Sequence, residues 1–97
     1  MKPKIKVSLA KIKKFCSAHH IVKLSLFGSV LTDRFNQRSD IDVLVEFDSD
    51  HIPSFFTLAD MQFELEDMFN RKVDLRTPND LSIYFRDEVI SNSFRLV

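Results

Sequence analysis

The run Ile41-Asp42-Val43-Leu44-Val45-Glu46-Phe47 constrains the fold of this chain more than any other. Successive side chains of a strand point to opposite faces. Ile41, Val43, Val45 and Phe47 therefore share one face, and Asp40, Asp42, Leu44 and Glu46 share the other. Two further runs are two-faced in the same way. In Ile21–Phe27, Val22, Leu24 and Leu26 alternate with Lys23 and Ser25; in residues 71–76, Val73 and Leu75 alternate with Lys72, Asp74 and Arg76. Strands of a parallel sheet covered on both sides read as continuous apolar runs. Half-polar strands imply instead a small mixed or antiparallel sheet with helices packed on one face, an α+β fold. The second face should be open and should carry Asp40, Asp42 and Asp74.

Helices fill the gaps between these strands. Ser8 is placed to cap a helix in which Leu9, Ile12, Phe15, Cys16 and His19 recur at helical spacing to about residue 20. From Ser54 to about Asn70, Phe55, Leu58, Met61, Leu65, Met68 and Phe69 form an apolar stripe, with the methionines as core filler. Asp67 and Arg71 are spaced to pair across one turn. Thr77-Pro78-Asn79-Asp80 has the form of a helix start, with Thr as N-cap and Pro in first position, and predicts a helix to about Ser91. Phe94 to Val97 reads as a short last strand. Ninety-seven residues without repeats or linkers make one domain, 1–97.

Formal net charge is zero, which argues against a dedicated nucleic-acid binder. Charge is nonetheless segregated. Residues 1–23 hold seven lysines (2, 4, 6, 11, 13, 14 and 23) and no acid, and all fourteen acids lie between Asp33 and Glu88. The lysines suit a solvated helix face, with some attraction for a polyanion. Cys16 is the only cysteine. No apolar run has the length of a membrane span or a signal h-region, so a cytoplasmic protein without a membrane partner is expected. His19, His20 and His51 lack zinc-ligand spacing and read as surface or packing residues.

Chemistry concentrates between Phe27 and Asp42. Gly28 is the only glycine and stands before Ser29 at the end of a strand. A glycine there lets the backbone turn tightly and lets a phosphate approach. The N–H groups of a short helix starting at Ser29, with its hydroxyl, would grip the β- and γ-phosphates of a nucleotide. Asp40 and Asp42, two apart on one strand, project from one face, and Asp74 can join them from a neighbouring strand. Three carboxylates on an open face repel unless a cation compensates. Mg²⁺ prefers such oxygen ligands together with substrate phosphates, and two ions can serve an in-line displacement at phosphorus. Walker, dinucleotide and nucleophile-elbow motifs all fail for want of their second glycine or lysine.

Gly28-Ser29, ten residues, then Asp40-Ile41-Asp42 resembles the GS-x10-D-x-D signature of the polymerase-β-type nucleotidyltransferase superfamily. The string SLFGS…SDIDVLVEF and the short length resemble the minimal nucleotidyltransferases (MNT proteins), over about residues 20 to 97. That likeness implies a nucleotidyltransferase fold and a Mg²⁺-dependent enzyme with ATP as substrate. It further implies the antitoxin of a HEPN/MNT pair, which transfers AMP to a tyrosine of the HEPN toxin and so silences its RNase. By the same likeness, Gly28 and Ser29 would bind the triphosphate, Asp40 and Asp42 the metals. Asp74 would bind one metal and help deprotonate the acceptor. Two positions depart from the pattern: many members have Arg where Val30 stands and Gly where Asp33 stands, with Arg34 or Arg38 as substitutes for the Arg.

Two alternatives are of other kinds. One is a non-catalytic antitoxin that neutralises its partner by contact. Phe55, Phe56, Phe63 and Tyr84 cannot all face one core, and would then serve that interface or a homo-oligomer. The other is a small-molecule nucleotidyltransferase.

Overall fold

The structure, a computed structural model, describes residues 3–97. Lys2 of the basic segment lies outside the described residues. The elements are α1 (Leu9–Ala18), β1 (Ile21–Phe27), β2 (Ile41–Phe47), α2 (Phe55–Phe69), β3 (Val73–Arg76), α3 (Arg86–Asn92) and β4 (Phe94–Arg95). Single 3₁₀ turns at Gly28–Leu31 and Pro78–Asp80 follow β1 and β3.

The four strands form one mixed sheet in the order β3-β2-β1-β4. β1 is antiparallel to both β2 and β4, whereas β2 and β3 are parallel. A parallel pair needs a long crossover, and α2 supplies it. Ser54 caps α2 by accepting from the Thr57 N–H, and Asn70, at φ +54°, ends it in the left-handed conformation. Val73 and Leu75 of the edge strand β3 donate their N–H groups to Glu66 Oε2 (3.0 Å) and Gln62 Oε1 (3.5 Å) of α2. This occupies backbone donors that an edge strand would otherwise leave open.

α1 and α2 pack on one sheet face. Ile12, Phe15 and Cys16 of α1 and Met61 and Leu65 of α2 join Leu24, Leu26, Ile41, Val43, Val45 and Val73 in one core. The second face is less open than its polar residues suggest. Ser25 and Leu44, neighbours across β1 and β2, are buried there. The segment after β3 crosses them, with the Pro78–Asp80 turn against β2 and α3 against β1.

Four local expectations are corrected. The register of β1 shifts between Ile21 and Lys23, so Ile21 enters the core and Val22 is 56% exposed. The helix expected to run from Pro78 to Ser91 is broken. Arg86 donates to the carbonyls of Pro78 (2.7 Å) and Leu81 (3.2 Å), and the helix resumes only at that residue. Phe55 and Leu9 sit in first helical turns that reach past the core, and both are exposed. Arg71 turns away from Asp67 toward the loop before β2.

Candidate active site

The polar end of the second face is built by register. Asp42 lies opposite Asp74 in the parallel pair, and Phe27 lies opposite Asp42 in the antiparallel pair. Asp74, Asp42 and the end of β1 are therefore level across three strands, and Gly28 follows directly. Gly28 has φ +76°, a region that side chains rarely adopt. A Cβ at this position would collide with Asp42 Oδ2 and lie 3.2 Å from its Cγ. The lone glycine thus does two things: it turns the chain, and it leaves room for the Asp42 carboxylate. Ser29 follows on the 3₁₀ turn, which is tied by the Thr32 hydroxyl donating to the Ser29 carbonyl (2.9 Å). Val30, where the family pattern often has Arg, is buried in the core and anchors the turn.

Asp42 is half-buried. Burial first, then the charges of Asp74 and Asp40, push its carboxyl from the ordinary 3.8 up to about 6, against a lowering influence of Arg76. Asp74 has the Arg76 guanidinium as partner, Nε to Oδ1 at 3.0 Å and Nη2 to Oδ2 at 3.3 Å. Asp40 is exposed and stands just before β2. Its loop is held by Arg71, which donates to the carbonyls of Ser39 (3.0 Å) and Asn36 and lies over the Phe35 ring, 4.2 Å from its centre.

Among the described residues, no three carboxylates, histidines or cysteines converge as they stand on a point where an ion could be held. The donor set still suits a hard cation: Asp42, raised by burial, is repelled by the carboxylates of Asp74 and Asp40 and lies against a glycine whose missing side chain leaves it room. For Asp74 to join Asp40 and Asp42 it must part from Arg76. That arginine was legible as a partner, since it shares the face of Asp74 two residues on. Arg71, which holds the loop of Asp40, left no signal in the sequence pattern. Arg38 lines a groove with Asp40, Arg71 and Lys72, whereas Arg34 is exposed outside it.

Two clefts flank the row. One, of about 380 Å³, runs from Phe55 and Leu58 to Asp74 and Arg76. The other, of about 400 Å³, lies between Gly28 and α3. The histidines stand apart from both: His19 bonds Glu64 (2.9 Å) and packs on Phe15, while His20 and His51 stack 3.8 Å apart.

The family model of the polymerase beta nucleotidyltransferase domain matches residues 10–97. Two proteins of Methanocaldococcus jannaschii, each named "putative protein adenylyltransferase", are similar in sequence. One is 30% identical over 86% of this chain and 87% of its own length, the other 38% identical over 79% and 78%. In solved structures, a "putative minimal nucleotidyltransferase" superposes with TM-score 0.74 at 24% identity, covering 89% of this chain and 86% of that one. A toxin–antitoxin crystal structure with AMP-PNP superposes with TM-score 0.76 at 20% identity, covering 94% and 73%. These two likenesses are of fold.

Proposed function

We propose, because this chain belongs to the polymerase β nucleotidyltransferase family, that it transfers AMP from ATP, with Mg²⁺, to a tyrosine hydroxyl of a HEPN-type toxin and so acts as its antitoxin. One observation carries this reading: Asp42 stands level with Asp74 on the next strand, with the backbone of Gly28 against its carboxylate.

In the reaction, the acceptor oxygen forms a bond to the α-phosphorus while the bond from that phosphorus to the β-phosphate oxygen breaks and pyrophosphate leaves. Gly28 and Ser29 would bind the β- and γ-phosphates, the glycine by leaving the backbone bare and the serine by its hydroxyl. Asp40, Asp42 and Asp74 would hold the divalent cations, which when bound neutralise the row and polarise the phosphate oxygens. Asp74 would also take the proton of the acceptor hydroxyl, once parted from Arg76. The cleft from Phe55 to Asp74 gives an aromatic acceptor side chain a way to that carboxylate, beside the exposed ring of Phe55, which stands edge-on to Phe56. The adenylyltransferase names of the relatives support a protein acceptor, and solved complexes titled toxin–antitoxin MntA-HepT support a toxin partner. A supply of ATP places the reaction in the cytoplasm. No helix among the described residues is long and apolar enough to cross a membrane.

The test is the intact mass of the protein that co-purifies with this chain from its own cells, after incubation with Mg-ATP and either wild type or Asp42→Asn. One or more AMP units added to the partner by wild type alone is the expected result. A stable partner whose mass changes with neither would overturn the transferase reading and leave neutralisation by contact.

A further inference from the structure

We infer that the cleft between Gly28 and α3 receives a purine base of the bound nucleotide, with Phe27 and Phe85 as its stacking walls and Glu88 and Asn92 reading the base edge. The inference rests on the assignment of the triphosphate to Gly28 and Ser29, and goes beyond it by giving the rest of the nucleotide a place.

Position comes first. The cleft opens at Gly28, and the Gly28 backbone is in contact with the Asp42 carboxylate. Gly28 thus belongs both to the carboxylate row and to the lining of the cleft, so a nucleotide whose phosphates lie at Gly28 has the cleft beside it. The lining comes second. Phe27, Leu31, Phe85 and Val89 make it apolar, while Glu88 and Asn92 add polar groups. A volume of about 400 Å³ with a few polar groups on apolar walls is the form of a site for one small ligand. Phe85 lines the cleft and is 61% exposed, so its ring is not spent on the core. Asn92 offers an acceptor and a donor at one end, and Glu88 accepts only, a combination that can pair with the amino and ring-nitrogen groups of a base.

The two other cavities that reach the carboxylates fit a base less well. The groove at Asp40 is rimmed by Arg38, Arg71 and Lys72 and has no aromatic residue. The cleft at Asp74 lies across Asp42 from Gly28, on the side assigned to the acceptor. Two phenyl rings favour the fused rings of a purine, because stacking grows with the area of the base.

The experiment is equilibrium titration of wild type, Phe85→Ala and Val89→Gln with Mg-ATP, the other three Mg-nucleoside triphosphates and Mg-tripolyphosphate. Wild type should bind the purine nucleotides more tightly than the pyrimidine ones. Phe85→Ala should weaken ATP roughly five- to a hundredfold, the loss of one base–aromatic stack, and leave tripolyphosphate unchanged. Val89→Gln, which makes the same wall polar, should act in the same direction. ATP affinity unchanged in both variants would overturn the inference, and loss of partner capture alongside would give the cleft to the partner. Equal weakening of ATP and tripolyphosphate would overturn it too, as a general disturbance of the site. Wild type that binds ATP but not tripolyphosphate would instead refute the phosphate grip and support the base site.

Discussion

Replacing Asp42 by Asn should stabilise the ion-free protein. The Asp42 carboxylate is half-buried, faces Asp74 and Asp40, and shares Arg76 with an Asp74 that already accepts from its Nε and Nη2. Its rise from the ordinary 3.8 to about 6 corresponds to about 3 kcal/mol of preference for the neutral form, at 1.36 kcal/mol per tenfold. Solvent screening of a half-exposed group reduces this to about 1–1.5 kcal/mol. A domain of this size shifts its Tm by about 4–8 °C per kcal/mol, so Asp42→Asn should melt about 5–10 °C above wild type in EDTA at pH 7.5. The direction with pH follows from linkage. The folded state holds the Asp42 proton more tightly than the unfolded state, so this group costs nothing below about pH 4. Its cost grows between pH 4 and 6 and is complete above about pH 6. The gap between variant and wild type should therefore close as pH falls to 4. Mg²⁺ should raise the wild-type Tm and have much less effect on the variant. The assay is thermal melting followed by circular dichroism across this pH range, with and without Mg²⁺. A variant that melts at or below wild type at pH 7.5, or a gap that keeps its size down to pH 4, would refute the electrostatic account.

Three further outcomes follow from single residues. Gly28→Ala should lose at least about 2 kcal/mol in chemical denaturation, because positive φ costs Ala about 1–2 kcal/mol and its Cβ strikes Asp42; made in an Asp42→Ala background, the same change should cost only the positive-φ part. Ser25 is 1% exposed and its hydroxyl has no partner among the described residues, so Ser25→Ala should be neutral or stabilising by up to about 1 kcal/mol, and a loss beyond about 1 kcal/mol would show a bond that the hydroxyl makes. Burial pushes the Cys16 thiol up to about 11, so iodoacetamide at pH 8 should leave it unmodified in the native state and label it in urea; rapid native labelling would contradict its place in the core.

The parts of this fold that were legible are those that period alone decides. Ile41, Val43 and Val45 point inward because they alternate, and Asp40, Asp42 and Asp74 share the other face for the same reason. The α2 stripe is legible likewise in Leu58, Met61 and Leu65. Misreadings arise where a local event resets the period. The register shift after Ile21 moves Val22 from the core to the surface, and a composition of Ile-Val-Lys-Leu carries no mark of it. Arg86 draws the Pro78 and Leu81 carbonyls to itself and breaks a helix whose start has good capping residues. Tertiary partners were illegible for a different reason: Arg71 has Asp67 one turn away, yet bonds Ser39 and Asn36, thirty residues and more earlier in the chain.

The contact of Gly28 with Asp42 belongs to this second kind. The two residues are fourteen apart in the chain, and the connection from residue 28 to 40 contains no second glycine to set its turn. Their meeting depends on the antiparallel register that sets Phe27 opposite Asp42. A slip of one residue would turn Asp42 toward the core face and bring Ile41 to the polar one. The burial of Leu24, Leu26, Val43 and Val45 on one face forbids that slip, since it would expose all of one strand's apolar set. The core thus fixes the distance between the glycine and the carboxylate. A chain that keeps this core is free to vary the loop from Asp33 to Ser39, including the position where the family often has glycine, without moving Asp42 relative to Gly28.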